Sequence, residues 1–189
     1  MLILLTNDDG ITAPGIQELR LAFEPMTQVY LVAPDRERSA TGHGITMHKP
    51  LRVEKKHFGN KTVGYAVSGT PADCVKLALE KLLPERPDLV ISGINKGSNL
   101  GTDVLYSGTV SAALEAIING IPSIAISLDF DVLGNFKTAA DFATKLAALM
   151  LEQPIPENTL LNVNVPDLEK DEIKGVKVTK LGLRRYINS

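Results

Sequence analysis

The sequence predicts a three-layer α/β/α, Rossmann-like domain built on a mostly parallel β-sheet. Short apolar runs of strand length alternate along the chain with longer segments whose apolar residues recur at helical spacing. Several short runs are apolar without interruption, as expected for strands that helices cover on both faces. The sequence contains no internal repeat, low-complexity tract or linker, so we expect residues 1–189 to form one domain.

The first elements are two strands with a helix between them. Residues 2–5 form a continuous apolar run, and residues 29–33 form a second one that ends before Pro34. A helix is expected to begin at Pro14 and to extend to about Phe23, because proline in the first helical turn loses no donor that the helix needs.

A β-hairpin, inserted around Gly59-Asn60, is expected next because alternating apolar residues flank this pair, namely Val53, Val63, Tyr65 and Val67. Thr70-Pro71 then begins a helix, with Thr70 as the N-cap. The remaining predicted elements are strands at 89–91, 123–128 and 160–165 and helices at about 110–118, ending at Gly120, and 137–151.

Composition excludes several classes of protein. Apolar residues make up 44% and charged residues 22%, which is ordinary for a soluble globular protein. The formal net charge of −2 disfavours a nucleic-acid polymer as partner but allows a small phosphorylated ligand. No apolar run is long enough to cross a membrane, and the N-terminal run is too short for a signal peptide. Since the single cysteine cannot form an internal disulfide, we expect a cytoplasmic protein.

The candidate functional residues follow the predicted strands, because ligands of open parallel sheets bind beyond the carboxyl ends of the strands. Asp8 and Asp9 come directly after the first strand. Adjacent carboxylates repel each other, and a hard cation such as Mg²⁺, Mn²⁺ or Ca²⁺ would relieve that repulsion. The alternative is an Asx turn, in which Asn7 and the aspartates cap the helix at Pro14.

The loop after the second strand contains Ser39, whose hydroxyl is a candidate metal ligand because the small residues after it leave room. Its charged part, residues 35–38, offers guanidinium groups for phosphate, but we interpret it as a solvated turn. His43 is a candidate general acid, although a lone loop histidine is more often only polar. Cys74 is interpreted as structural, because no histidine or acid is patterned around it.

Two further loops combine glycine with polar side chains. Asn95 and Asn99, within Ser92–Gly101, offer neutral oxygen ligands, and Lys96 offers a positive charge. Ser107-Gly108-Thr109 leads into a helix, whose free N–H groups form a ready anion site; an ordinary Ser/Thr cap is the alternative. Together these loops favour a divalent metal with phosphate, whereas the P-loop, the G-x-G-x-x-G fingerprint and the D-x-D pattern are all absent.

Five segments in the same order and spacing resemble the SurE family of stationary-phase survival proteins, which are metal-dependent nucleotidases and acid phosphatases. The segments are T-N-D-D-G-I, A-P-D-R-E-R-S-A-T-G, S-G-T-P-A-D-C-V, S-G-I-N-K-G-S-N-L-G and Y-S-G-T-V-S-A-A-L-E. The resemblance implies an α/β/α domain that releases phosphate from nucleoside 5′- and 3′-monophosphates, and some relatives also act on short polyphosphate.

The resemblance also implies site residues, a cofactor and an assembly. One divalent cation per subunit would be held by Asp8, Asp9, Ser39 and Asn95. The phosphate would lie against Asn99, Ser107, Gly108 and Thr109. Family members are usually homodimers or homotetramers, built partly through an exchanged C-terminal extension. Family sequences normally continue well past Ser189, so we expect that extension to be missing from this chain.

The resulting hypothesis is metal-assisted hydrolysis of a phosphomonoester, with one of the two acids, Asp8 in preference, acting directly as base or nucleophile. A non-catalytic nucleotide- or phosphate-binding module is the alternative. The adjacency of Asp8 and Asp9 disfavours that alternative, because bare carboxylates repel phosphate unless a cation lies between them.

Overall fold

One mixed β-sheet organises the molecule in the computed structural model, which describes residues 1–59, 61–129, 134–153 and 155–183. Within these residues, seven strands lie in the order β3-β4-β2-β1-β5-β6-β7. Their bounds are β1 Leu2–Thr6, β2 Gln28–Pro34, β3 Val53–Phe58, β4 Thr62–Val67, β5 Leu89–Lys96, β6 Ser123–Asp129 and β7 Leu161–Pro166. Neighbouring strands are parallel except β3 and β4, which pair antiparallel.

Helices cover both faces of this sheet. They are α1 Pro14–Phe23, α2 Pro71–Leu77, α3 Gly108–Ile118 and α4 Phe136–Glu152, and α2 continues into a π-helical turn, Ala78–Leu82. Helices α1 and α4 pack together on one face, and α2 and α3 pack together on the other. The predicted three-layer α/β/α fold is therefore confirmed.

Strand β1 lies at the centre of the sheet and contributes to both hydrophobic cores. Ile3 and Leu5 pack on the side of α1 and α4, whereas Leu4 packs on the side of α2 and α3. All three side chains are fully buried. This alternation explains why the sequence shows an uninterrupted apolar run rather than an apolar–polar alternation.

The predicted elements are confirmed with two refinements. Strand β5 continues to Lys96, five residues beyond its predicted end at 91, so Asn95 ends a strand rather than lying in a loop. The hairpin β3–β4 is not separate from the main sheet, because β4 pairs in parallel with β2. Its turn residue Asn60 lies outside the described residues. Across the described ranges, no helix combines the length and apolar character that crossing a lipid bilayer requires.

The strand order creates a crevice beside β1. The chain moves from β1 to β2 on one side and later returns to β5 on the other side of β1. The segments that follow β1 and β5 consequently diverge, which is the arrangement that opens a ligand site at the carboxyl ends of such strands. Asp8 and Asp9 follow β1, and Asn95 lies at the end of β5.

Candidate functional site

A cavity of about 520 Å³ lies at this crevice. It is lined by Asp8, Asp9, Glu37, Ser39, Ala40, Asn95, Lys96, Ser98, Asn99, Asp103, Tyr106 and Ser107. Six of the eight residues that the sequence singled out for metal or phosphate thus line one cavity. The other two, Gly108 and Thr109, contact Asp8 at the start of α3.

Asp8 is a buried carboxylate held by α3. Its Oδ1 accepts a hydrogen bond of 2.6 Å from the Thr109 hydroxyl. Gly108 permits this close approach, because a Cβ on that residue would lie 2.8 Å from Asp8 Cβ. Burial raises the pKa of Asp8, and the Thr109 hydrogen bond opposes that increase. The carboxylate is therefore fixed in orientation and lacks most of the water that would otherwise stabilise its charge.

Asp9 is less deeply buried than Asp8, but its ionised form is also destabilised in the cavity. Burial and then the neighbouring charge of Asp8 raise the pKa of Asp9 to about 6. A hydrogen bond from the Lys96 backbone acts in the opposite direction. Two carboxylates that are both costly to ionise lie side by side in one cavity, which is an environment that a cation would stabilise.

Asn7 forms the turn that was predicted as the alternative to a metal loop. Its Nδ2 donates to Gly10 O at 2.9 Å, and Gly10 N donates to Asn7 Oδ1 at 3.2 Å. The N-cap of α1 is Ala13, which makes no side-chain capping bond, so neither aspartate caps that helix. Asn7 thus shapes the loop while Asp8 and Asp9 remain directed to the cavity.

Ser39 and Asn95 contribute neutral oxygens to the same lining. Ser39 Oγ donates to Glu37 Oε1 at 2.5 Å, which keeps the hydroxyl lone pairs available as ligands. Asn95 Nδ2 donates to Gly97 O at 2.6 Å, so Asn95 Oδ1 is the amide atom left for a cation. Among the residues with described positions, no three His, Cys, Asp or Glu side chains cluster closely enough to hold a metal by themselves. Two carboxylates, a hydroxyl and an amide oxygen fit a hard cation such as Mg²⁺ or Mn²⁺.

Asn99 is held in place by asparagines of β7, a contact that the sequence did not indicate. Asn99 N donates to Asn164 Oδ1 at 2.7 Å, and Asn99 O accepts from Asn162 Nδ2 at 2.9 Å and Asn164 Nδ2 at 3.1 Å. The Asn99 side chain donates to Ser127 Oγ at 2.8 Å. The polar residues 162 and 164, which alternate with apolar residues along the half-buried strand β7, are the signal that could have indicated this support.

The start of α3 has the features of an anion site, and it also positions the Asp8 carboxylate. Ser107 is the N-cap, and its Oγ accepts from Val110 N at 3.1 Å. The Thr109 hydroxyl is fully buried and is directed at Asp8. Contact of Asn99, Ser107, Gly108 and Thr109 with phosphate remains a prediction. The positioning of Asp8 by Thr109 is an additional role that sequence reasoning missed.

Other candidates lie outside the lining. His43 Nε2 lies within hydrogen-bond distance, 2.8 Å, of Glu115 Oε2 of α3, and this contact directs the ring towards α3. Cys74 is buried, and burial raises its pKa well above the ordinary thiol value, as expected for a structural cysteine. Glu37, by contrast, lines the cavity although the sequence interpretation placed it in a solvated turn.

Replacing Thr109 with valine tests its support of Asp8. Valine has nearly the same shape but leaves Asp8 Oδ1 without its buried donor, so the pKa of Asp8 should rise further. Because loss of an outer-shell partner of a metal-binding carboxylate typically lowers metal affinity by about 10–100-fold, Mn²⁺ affinity at pH 7 should fall at least about tenfold. Isothermal titration calorimetry measures this affinity, and Thr109→Ser, which keeps the hydroxyl, is the matched control. Equal Mn²⁺ affinities for the two variants would contradict the assignment.

The strand order, and the polar cavity at the carboxyl ends of β1 and β5, define a doubly wound α/β protein with a candidate ligand site beside its central strand. The family model described as Survival protein SurE matches residues 3–188. The chain therefore belongs to the SurE family, and the predicted resemblance is confirmed.

Curated relatives and a solved structure agree with this assignment. The chain is 58% identical over 189 residues to the 5′-nucleotidase SurE of Heliobacterium modesticaldum, covering 100% of this chain and 70% of the relative. It is 59% identical to the 5′-nucleotidase SurE of Pelotomaculum thermopropionicum, covering 100% of this chain and 71% of that one. The crystal structure of the SurE protein from Aquifex aeolicus superposes with a TM-score of 0.90 at 47% identity, over 99% of this chain and 75% of that chain.

Proposed function

We propose that this chain is a divalent-metal-dependent phosphomonoesterase that hydrolyses nucleoside 5′- and 3′-monophosphates to nucleoside and phosphate. The observation that carries the proposal is the pair Asp8 and Asp9, two adjacent carboxylates with raised pKa values in one cavity with the N-cap of α3. Relatives named 5′-nucleotidase that share 58% of their aligned residues with this chain support a nucleotide as substrate. Short polyphosphate, which presents a similar terminal phosphate, is a further candidate substrate.

The cation would be held by Asp8, Asp9, Ser39 and Asn95, one ion per subunit. Such an ion supplies Lewis acidity, which offsets the negative charge of the phosphate and of the leaving alkoxide. Ser107, Gly108 and Thr109 at the N-terminus of α3 would bind the phosphate oxygens through the free N–H groups of the first turn, aided by Asn99.

Asp8 is the residue that we assign to the chemical step. Because Oδ1 accepts the Thr109 hydrogen bond, Oδ2 is the oxygen that we assign to proton transfer. As a general base, Asp8 accepts a proton from the attacking water while the water oxygen bonds to phosphorus. The bond between phosphorus and the ribose oxygen breaks, and the ribose oxygen takes up the proton that Asp8 accepted. Nucleoside and inorganic phosphate then leave, and Asp8 is again a carboxylate.

The alternative function is a non-catalytic nucleotide-binding module. The proximity of the two carboxylates argues against it, because a metal-free cavity with this charge repels phosphate. The geometry of Asp8 also argues against it, since a binding module needs no carboxylate fixed by a buried hydroxyl.

An assay of phosphate release from AMP distinguishes the phosphomonoesterase from the non-catalytic binding module. We expect turnover with Mn²⁺ or Mg²⁺ and its complete loss in EDTA, because the carboxylates then repel the substrate. Colorimetric detection of inorganic phosphate measures the rate, and 3′-AMP and tripolyphosphate extend the panel. Binding of AMP in Mn²⁺ without any release of phosphate would favour the module, and undiminished turnover in EDTA would contradict the metal requirement.

We further propose that the chain acts in the cytoplasm as a homodimer or homotetramer. Support for assembly comes from the apolar side chains exposed in the segment after β7. These are Val176, Val178, Leu181 and Leu183, which are between 67% and 100% exposed. Apolar exposure of this kind is typical of a surface that another subunit covers. Light scattering of the purified chain should therefore give at least twice the monomer mass of 20.4 kDa.

A further inference from the structure

Tyr106 is the one large aromatic side chain among the residues described as lining the cavity. The other lining residues are carboxylates, hydroxyls, amides, a lysine and Ala40. The side chain of Tyr106 is also strongly exposed, with the residue 66% accessible. An exposed ring at the edge of a polar cavity offers an apolar face that none of the metal or phosphate ligands needs.

The backbone of Tyr106 is fixed although its ring is exposed. Tyr106 N donates to Asp103 O at 3.0 Å, and Tyr106 O accepts from Gly42 N at 3.1 Å. The second bond links Tyr106 to the loop that carries Ser39. The ring therefore projects from an anchored position on one wall of the cavity rather than from a free loop.

The position of Tyr106 in the chain places its ring next to the predicted phosphate site. Tyr106 ends the 3₁₀ helix Gly101–Leu105 and directly precedes Ser107, the N-cap of α3. Consecutive Cα atoms are about 3.8 Å apart. A phosphate bound at the start of α3 would therefore lie beside the residue that carries the ring, in the cavity that Tyr106 and Ser107 both line.

We propose that Tyr106 binds the nucleobase of the substrate by stacking, and so determines the preference of this site for nucleotides over other phosphomonoesters. The proposal rests on the proposed function, because it takes the cavity as a nucleoside monophosphate site. Stacking uses the face of a base, which every nucleobase presents, and does not read its hydrogen-bonding edge. The site should accept all four bases, with purines ahead of pyrimidines because their rings cover more of the tyrosine.

The experiment compares AMP with ribose 5-phosphate, which has the same phosphate and ribose but lacks the base. For wild-type protein with Mn²⁺, kcat/KM should be about tenfold or more higher for AMP, from the known strength of base–aromatic stacking. Tyr106→Ala should remove most of that ratio by lowering kcat/KM for AMP, and should leave kcat/KM for ribose 5-phosphate unchanged. Tyr106→Phe keeps a ring and should retain the ratio.

Leu105→Ala is the matched control, because Leu105 is the adjacent residue, is 73% exposed and does not line the cavity. It should leave both substrates unaffected. An equal loss for AMP and ribose 5-phosphate in Tyr106→Ala would overturn the proposal in favour of a structural role at the α3 N-terminus, and an unchanged ratio would also overturn it. If wild-type protein hydrolyses neither compound, the proposed function fails. The stacking is then tested by equilibrium binding in Mn²⁺, in which the ratio of the affinities for AMP and ribose 5-phosphate replaces the ratio of kcat/KM values.

Discussion

Replacing Asp9 with asparagine is expected to abolish metal-dependent phosphate release from AMP. Asparagine is nearly isosteric but removes one of the two charges that would hold the cation. Because a metal ion contributes several kcal/mol to stabilisation of the transition state, the rate should fall by about 10³-fold or more. Phosphate release measures this loss, and calorimetric titration with Mn²⁺ should show the matching loss of affinity.

The same substitution should stabilise the metal-free fold, which distinguishes a functional residue from a structural one. The pKa of Asp9 in the fold is about 6, above its ordinary value of 3.8, so its ionised form is less stable in the folded chain. The stabilising contribution of the protonated acid is fully present below about pH 4 and is lost as the pH rises through 6. Asparagine carries no such penalty at any pH.

Thermal denaturation in EDTA measures this effect. At pH 8, after allowance for the partial exposure of Asp9, the gain should be about 1–2 kcal/mol, or about 2–8 °C in Tm. The gain should vanish near pH 4. Mn²⁺ should raise the Tm of the wild type but not of Asp9→Asn. Asp141→Asn, which removes an exposed acid of α4 outside the cavity, should change neither activity nor the response to Mn²⁺. Wild-type turnover in Asp9→Asn, or a lower Tm of Asp9→Asn at pH 8, would contradict the assignment of Asp9 as a metal ligand.

Replacing Gly15 with alanine is expected to destabilise the chain by about 3 kcal/mol or more, as overpacking against a rigid neighbour does. Gly15 lies in the first turn of α1, where a Cβ would stand 2.0 Å from Ile94 O and 2.9 Å from Ile94 C. Both atoms belong to the backbone of β5, so α1 must move away from the sheet. Because β5 also carries Asn95, activity should fall together with Tm.

Helix propensity alone predicts the opposite sign, since alanine stabilises a helix interior by about 1 kcal/mol relative to glycine. A loss of about 6 °C or more in Tm would therefore establish the steric contact. Gly182→Ala is the control, because a Cβ built there meets nothing within 4 Å apart from its chain neighbours. If Gly15→Ala unfolds at or above the wild-type temperature, the close packing of α1 on β5 is wrong.

Local patterns in the sequence predicted the elements of this fold well. Continuous apolar runs indicated β1 and β2, and Pro14 and Thr70-Pro71 indicated where α1 and α2 begin. These signals are short-range, because strand burial and helix capping depend on a few neighbouring residues. The continuation of β5 to Lys96 gave no such signal, since its end is polar and glycine-rich and pairs with β6 only through tertiary contacts.

For the candidate site too, local sequence predicted one part, the residues, and did not predict the other, their contacts. Asp8, Asp9, Ser39 and Asn95 could be selected because each follows a predicted strand, and parallel strands end at one edge. The contacts between them could not be predicted in this way. Thr109 reaches Asp8 across 101 positions of the chain, and Asn164 holds Asn99 across 65.

By itself, the sequence determined the fold class, the order of the elements and the types of side chain at the site. This is because apolar periodicity and helix capping depend on residues that are close together in the chain. Only the tertiary structure decided which hydroxyl holds which carboxylate, how far the pKa of Asp9 rises, and that Glu37 and Tyr106 line the cavity. The physical reason is that burial and hydrogen-bond partners depend on elements that are distant in the chain and meet only when the sheet and its helices pack.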